Sequence, residues 1–178
     1  MDSSSQSADT PPATHLVVMG VAGSGKSTLA RALADRLGWT FAEGDDFHST
    51  AAVARMHAGV PLTDQERWPW LDRIAAWTAD QDARGRSTVV TCSALRRVYR
   101  DRLRAAPGRT VFLHLTGSPA VLARRMVDRR DHFMPASLLP SQLTTLEPLA
   151  ADEAGFSLDI DRPRTELVDL AVARLRDS

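Results

Sequence analysis

Short apolar runs alternate with longer amphipathic stretches along most of the chain. Runs typical of buried parallel strands cover residues 15–19, 40–43, 87–92, 110–115 and 156–160. Apolar residues recur at helical spacing in 27–37, 51–57, 65–83, 95–105, 119–130 and 164–176. Asp64 is the expected cap of the longest helix, and 131–140 is predicted to be a loop leading into a helix. This alternation predicts an α/β fold with a mostly parallel sheet flanked by helices on both faces.

The chain divides into a short polar tail and one domain. Residues 1–14 are rich in Ser, Asp and Pro, which predicts a disordered tail, whereas 15–178 fit a single domain. With 43% hydrophobic and 25% charged residues, the composition is ordinary for a globular protein. A net charge of zero gives no bulk reason to expect nucleic acid or an anionic membrane as partner.

The single cysteine and the lack of long apolar runs indicate where in the cell the protein is located. Cys92 is the only cysteine, so no internal disulfide can form, which suits a cytoplasmic protein. No apolar run has the length of a membrane-spanning helix, and the N-terminal residues lack the basic start and apolar stretch of a secretory signal. We therefore expect a cytoplasmic protein without a membrane partner.

The first strand runs into a glycine-rich loop, GVAGSGKS, that matches G-x-x-x-x-G-K-[ST] at every fixed position. Such a loop turns backbone N–H groups and a helix N-terminus toward the phosphates of a nucleotide. Lys26, the only lysine among 22 basic residues, can reach the β and γ phosphates, and the Ser27 hydroxyl can bind Mg²⁺. The predicted nucleotide-binding residues here are Gly20, Gly23, Ser24, Gly25, Lys26, Ser27 and Thr28. Because a strand and a helix flank the loop, triphosphate binding is favoured over an ordinary turn.

An acidic cluster, EGDDFH, follows the second predicted strand. The carboxyl ends of strands in an open α/β sheet line the ligand crevice, so this cluster should face the phosphate loop. A carboxylate there could accept a proton from a substrate hydroxyl, although spacing alone equally allows a solvated acidic turn. The strand 87–92 does not end in the acidic residue that usually binds Mg²⁺ in motor ATPases, which favours a small-molecule kinase.

Five segments together resemble the gluconate kinase (gluconokinase) family. In order they are GVAGSGKS, EGDDFH, RMHAGVPLTDQERWPWL, CSALRRVYRDRLR and RRMVDRRDHFMPASLLPSQLTTLEPL, between Gly20 and Leu149. Ser49 departs from the proline that often stands after this histidine in the family, at a position where no ligand group is expected.

The resemblance implies the fold and the reaction. The fold is a P-loop NTPase of the nucleoside-monophosphate/shikimate-kinase type, with a mobile lid around 125–140. The reaction is phosphorylation of D-gluconate to 6-phospho-D-gluconate with ATP and Mg²⁺, feeding the pentose phosphate or Entner–Doudoroff route. Members are often dimers, so a homodimer is the assembly that the resemblance allows.

The resemblance also implies roles for individual residues. Asp45 would be the catalytic base, with Asp46 as the competitor, and Glu43 would hold Mg²⁺ through water while Ser27 binds it by its hydroxyl. The predicted substrate contacts are Asp45, His48, Arg67, Arg96 and Arg100. In the lid, Arg125 would lie against adenine and Arg129 would reach the transferring phosphate. Gln142 and Glu147 are typical of the family, with no role beyond hydrogen bonding near the lid.

Two alternatives remain open at this stage. One is another small-molecule kinase, such as a shikimate-like enzyme. The other is a non-catalytic nucleotide-binding switch that binds RNA through the basic stretch between Arg96 and Arg104. Only Tyr99 interleaves those charges with an aromatic ring, so we expect no nucleic-acid partner. Cys92 lacks an evident histidine base and is interpreted as a packing residue.

Overall fold

The computed structural model describes residues 11–128 and 135–178. The strands in this part of the chain are β1 (Thr14–Met19), β2 (Thr40–Glu43), β3 (Thr88–Thr91), β4 (Arg109–Thr116) and β5 (Gly155–Asp159). Its α-helices are α1 (Lys26–Leu37), α2 (Thr50–His57), α3 (Asp64–Ala83), α4 (Arg97–Arg104), α5 (Pro119–Val127), α6 (Leu139–Thr145) and α7 (Arg164–Arg176). Two short 3-10 helices, Gly44–Phe47 and Ala136–Leu138, precede α2 and α6.

The strands form one parallel sheet in the order β2-β3-β1-β4-β5. In its register, Val18 of β1 lies between Thr91 of β3 and Leu113 of β4, and Glu43 of β2 pairs with Thr91. The strands therefore end together at one edge, and the loops that follow β1, β2 and β3 share that edge. The predicted fold class, a parallel sheet flanked by helices, is confirmed.

Apolar side chains cover both faces of the sheet because its strands are buried on both sides. On one face, Leu33 of α1 and Ala171 of α7 are fully buried against the sheet. On the other, Ile74 of α3 and Leu103 of α4 pack against Phe112. A smaller apolar cluster joins α2 to the 3-10 helix before α6 and lies beside the edge where the strands end.

Some boundaries differ from the sequence-based expectations. Thr63, not Asp64, caps α3, since its side chain accepts from the Glu66 N–H while the Glu66 side chain accepts from the Thr63 N–H. Helix α4 begins at Arg97 rather than at residue 95, because the preceding turn has Ala94 at a positive φ of 45°. Helix α5 ends at Val127 rather than at residue 130.

The predicted tail and lid fall partly outside the described residues. Residues 1–10 of the tail lie outside them, and Thr14, assigned to the tail, is the first residue of β1. Residues 129–134 of the predicted lid lie outside as well, so the prediction for Arg129 is not tested. No helix in the described part of the chain is both long and apolar enough to cross a membrane.

Candidate active site

The phosphate loop joins β1 to α1 and depends on its glycines. Gly23 and Gly25 have positive φ angles of 82° and 85°, a region that side chains rarely adopt. A Cβ on Gly23 would also lie 2.8 Å from Cγ of Met126. Gly25 precedes α1 without a side-chain cap, so the first N–H groups of the helix face the loop. Lys26 Nζ donates to the carbonyl oxygens of Gly20 and Val21, each at 3.0 Å, which holds the ammonium within the loop.

The acidic turn after β2 is fixed against β3 by a close backbone approach. The Gly44 N–H donates to Thr91 Oγ1 at 3.0 Å, and the Thr91 hydroxyl donates to Glu43 Oε1. A Cβ at residue 44 would lie 1.8 Å from the Thr91 carbonyl oxygen, so only glycine fits there. Trp70 of α3 donates from Nε1 to the Gly44 carbonyl at 2.8 Å. The turn is thereby held from both the strand and the helix.

Asp45 and Lys26 line the same cavity at this edge of the sheet. Burial raises the pKa of Asp45 to about 6, with Lys26 opposing the rise and the carboxylates of Glu43 and Asp46 adding to it. A carboxyl group whose pKa lies close to neutral pH suits a general base. Asp46 is exposed and does not line the cavity, which favours Asp45 of the two candidates.

His48 lies beside Asp45 in the cavity and is held by an aromatic ring. Its imidazole stacks on the Trp70 indole, with centroids 4.0 Å apart and planes 17° from parallel. Burial lowers the pKa of His48 to about 4, and the nearby Arg73 and Arg67 guanidiniums lower it further. The ring is therefore neutral near pH 7 and contributes hydrogen bonds rather than charge.

The cavity has a wall that sequence reasoning did not foresee. Side chains from three regions complete the lining around the predicted residues Glu43, Asp45, His48 and Arg67. They are Met56 of α2, with Pro61 and Leu62 after that helix; Ser93 and Leu95 before α4; and Leu138, Ser141, Gln142 and Thr145 around α6. All of these residues lie in segments that resemble the gluconokinase family, but the resemblance gave none of them a role in the cavity.

Gln142 links that wall to the phosphate loop. Its Oε1 accepts a hydrogen bond of 2.7 Å from the Ala22 N–H, between residues 120 positions apart in the chain. Glu147 acts at the other end of the same segment, accepting from the Arg97 N–H at 2.9 Å at the start of α4. Both residues hold the ends of other elements in place around the cavity.

A second pocket lies at the phosphate loop and is lined by Ser24, Gly25 and Thr28, together with Arg125 and residues preceding and beginning α7. Arg125 Nη2 donates to the Ile160 carbonyl at 3.0 Å, so the guanidinium bridges α5 and the end of β5. The two pockets share the phosphate loop, with the acidic turn in one and Arg125 in the other. This arrangement suits a donor nucleotide in one pocket and an acceptor in the other.

The basic residues around α4 are paired with carboxylates. Each pairing joins an arginine to an acid on the same or a neighbouring element: Arg96 with Asp64 and Glu147, Arg97 with Asp152, Arg100 with Glu153, Arg102 with Asp72, and Arg104 with Asp101 and Glu153. Because its charges are neutralised within the protein, this surface does not favour the RNA-binding alternative.

The structure does not bring Arg100, a predicted substrate contact, to the cavity. Its guanidinium is fully buried and pairs with Glu153 at 2.8 and 3.0 Å, while Nη1 donates to the Ala94 carbonyl at 2.9 Å. Arg96 also does not line the cavity. It pairs with Asp64 at 2.6 Å and with Glu147 at 3.3 Å. The helical spacing of these arginines is real, but the acids that cover them come from distant positions.

Cys92 and the oxygen donors of the cavity are the remaining groups with possible chemistry. Burial raises the pKa of Cys92 to about 12, which supports its interpretation as a packing residue. Among the described residues, no group of three or more His, Cys, Asp or Glu side chains could hold a metal ion. Ser27 and Glu43 line the same cavity, and Mg²⁺ needs only one or two protein oxygens beside phosphate oxygens and water. This donor set fits Mg²⁺ that arrives with the triphosphate.

Known proteins resemble the chain over most of its length. A family model described as "AAA domain" matches residues 16–149. The chain is 52% identical over 138 residues to the gluconokinase of Gluconobacter oxydans (strain 621H), covering 78% of each chain. A solved sugar kinase from Janibacter sp. HTCC2649 matches with a TM-score of 0.90 and 52% identity, over 93% of this chain and 95% of that one. A gluconokinase from Sinorhizobium meliloti 1021 matches with a TM-score of 0.83 and 44% identity, over 94% of both. The chain therefore belongs to the gluconokinase family of P-loop kinases.

Proposed function

We propose that this protein transfers the γ-phosphoryl group of ATP to the 6-hydroxyl of D-gluconate, giving ADP and 6-phospho-D-gluconate. The observation that carries the proposal is that Lys26 and Asp45 line one cavity, where β1 and β2 end. The relatives that bear the name gluconokinase support gluconate as the acceptor.

On the donor side, the loop from Gly20 to Ser27 binds the triphosphate. Its N–H groups and the N-terminus of α1 contribute partial positive charge, and Lys26 neutralises the β and γ phosphates as charge shifts between them. Ser27 and Glu43 would hold Mg²⁺, which, when bound, supplies charge neutralisation for the phosphate oxygens. Arg125 in the second pocket is proposed to contact the adenosine.

On the acceptor side, Asp45 takes the proton of the 6-hydroxyl. The hydroxyl oxygen forms its bond to the γ-phosphorus as the bond from that phosphorus to the β–γ bridging oxygen breaks, and ADP leaves with the electron pair. With a pKa of about 6, Asp45 is largely ionised at pH 7 and can accept that proton. Catalysis therefore rests on position and charge rather than on a covalent intermediate.

The remaining cavity residues hold the sugar acid. Arg67 is proposed to pair with its carboxylate through two parallel hydrogen bonds, and neutral His48 to hydrogen-bond its hydroxyls. Trp70 forms an apolar wall against His48. Lid closure around 125–140 and the contact of Arg129 with the transferring phosphate stay predictions from the resemblance.

A substrate panel with ADP detection tests the proposal. Gluconate, other hexonic acids, shikimate and nucleoside monophosphates are each supplied with ATP and Mg²⁺, and the product is identified by ³¹P NMR. We expect ADP release with gluconate and a phosphomonoester at carbon 6. Turnover on another acceptor, without 6-phosphogluconate from gluconate, would remove the substrate assignment.

A further inference from the structure

Arg67 reaches the cavity from the first turn of α3, and one nitrogen of its guanidinium is bonded to the neighbouring helix α4. Its Nη1 donates to the Tyr99 hydroxyl at 2.6 Å, and its guanidinium lies 5.2 Å from the centre of the Tyr99 ring. Nη1 also lies 3.8 Å from Asp64 on its own helix. The cation thus meets a phenol oxygen and a carboxylate, neither of which belongs to a residue that lines the cavity.

Tyr99 is itself fixed by the groups behind it. Its hydroxyl donates to Asp64 Oδ1, and Asp64 Oδ2 accepts from Arg96 Nη1 at 2.6 Å. The ring is buried, with the Trp68 indole edge-on at a centroid distance of 5.7 Å. Arg96, Asp64 and Tyr99 therefore form a continuous chain of hydrogen bonds that ends on Arg67.

This chain determines which edge of the Arg67 guanidinium is available. Among the described residues, Nη1 is the only guanidinium nitrogen of Arg67 with a hydrogen-bond partner, and Tyr99 occupies it. The Nε–Nη2 edge carries two parallel N–H groups, the arrangement that pairs with both oxygens of a carboxylate. Because Tyr99 already restricts the guanidinium at Nη1, little further rotational freedom of this side chain is lost when an anion binds.

We infer that Tyr99, supported by Asp64 and Arg96, is a positioning residue that orients Arg67 toward the carboxylate of the acceptor. The inference rests on the proposed function, in which Arg67 binds that carboxylate. It also assigns a role to Arg96, which affects the substrate through Asp64 and Tyr99 rather than by contact.

A double-mutant cycle tests the inference, because it separates action through Arg67 from a structural effect. The variants are Tyr99→Phe, Arg67→Met and the two combined, with initial rates measured against gluconate and ATP. We expect Tyr99→Phe to raise KM for gluconate about tenfold, the loss of one hydrogen bond to a charged group. KM for ATP and kcat stay within about twofold, and in the Arg67→Met background Tyr99→Phe has no further effect on KM.

Asp72→Asn is the matched control. Asp72 also joins α3 to α4, through Arg102 at 2.6 Å, without contacting Arg67. It should leave both KM values unchanged. Thermal unfolding of each variant shows whether it is folded. Asp64→Ala breaks the same chain of hydrogen bonds at a second residue, and it should raise KM for gluconate about threefold.

The outcomes distinguish the positioning role of Tyr99 from the proposed function of the protein. If Arg67→Met raises KM for gluconate and Tyr99→Phe does not, or if the two effects add, the positioning role is overturned and the proposed function stands. If Arg67→Met leaves KM unchanged, the carboxylate contact itself is wrong. Absence of any turnover of gluconate by the wild-type protein would instead refute the proposed function.

Discussion

Asp45 and Glu153 are carboxylates of the same domain in opposite electrostatic settings. Asp45 stands at the cavity with a lysine nearby and two acidic neighbours, and its pKa is raised. Glu153 is fully buried before β5, where it accepts hydrogen bonds from Arg100, Arg104 and the Ala150 N–H. Burial acts to raise the pKa of Glu153, but these donors outweigh it and hold the pKa well below its usual range.

The difference lies in how completely each charge is satisfied. A buried carboxylate with both oxygens occupied by donors stabilises structure and has no tendency to accept a proton. A carboxylate that is partly desolvated, with few donors, keeps its basicity for a substrate. The same residue type thus serves as a structural anchor in one place and as a candidate base in the other.

Removing the charge at Asp45 should produce the largest effect on activity. Asp45→Asn is expected to lower kcat by about 10²–10⁴-fold, the usual contribution of a general base, with little change in the affinity for ATP. Asp46→Asn is the matched control, because Asp46 is exposed and outside the cavity. Rates and nucleotide binding measured on both variants would contradict the assignment if Asp46→Asn were the slower enzyme.

Removing the charge at Glu153 should destabilise the fold instead of slowing the chemistry directly. Glu153→Gln leaves Arg100 buried without its partner, at an expected cost of about 3–5 kcal/mol in the free energy of unfolding. The neighbouring exposed pair of Asp152 with Arg97 supplies the control, since Asp152→Asn should destabilise the fold far less than Glu153→Gln. Urea unfolding measures both, and equal losses would show that burial of the pair is not what matters.

The dependence of activity on pH sharpens the comparison. Since the base must be ionised, kcat/KM should rise with a midpoint at about pH 6, where Asp45 ionises, and level off above it. At pH 5 it should be about one tenth of the plateau. His48→Gln should lower the plateau without moving this midpoint, because the pKa of His48 is about 4. If His48→Gln moved the midpoint, the group that titrates would be His48 and not Asp45.

Replacing Gln142, a neutral buried residue, should have a smaller effect than the changes described above. Gln142→Leu removes the acceptor of the Ala22 N–H in the phosphate loop, and we expect KM for ATP to rise about fivefold, the equivalent of one ordinary hydrogen bond. Thr144→Ala, an exposed position on the same helix, should leave KM unchanged. Steady-state kinetics with ATP varied distinguishes them.

The sequence was sufficient for the parts of the site that are local. The loop around Lys26 and the acidic turn with Asp45 are each contiguous, and a parallel sheet brings strand ends to one edge without further information. The Thr63 cap was also available locally, because Glu66 stands three residues after it, as a capping box requires.

What the sequence could not supply were contacts between distant segments. The spacing of the α4 arginines gives a helix face but not the acid that covers it, and Glu153 lies 53 positions after Arg100. The bond from Gln142 to the phosphate loop spans 120 positions. Whether an arginine meets a substrate or a buried carboxylate depends on such pairings, and no periodic pattern encodes them.

Lys26 is the only side-chain amine in the chain, and it lies inside the phosphate loop with its Nζ on the carbonyls of Gly20 and Val21. Reagents that acylate lysine therefore have a single side-chain target, and that target is the group proposed to contact the donor phosphates. Acylation of Lys26 is expected to inactivate the protein, and bound ATP should protect it. Dyes or supports attached through lysine would report on, or block, the nucleotide site itself, so labelling of this protein has to use other chemistry.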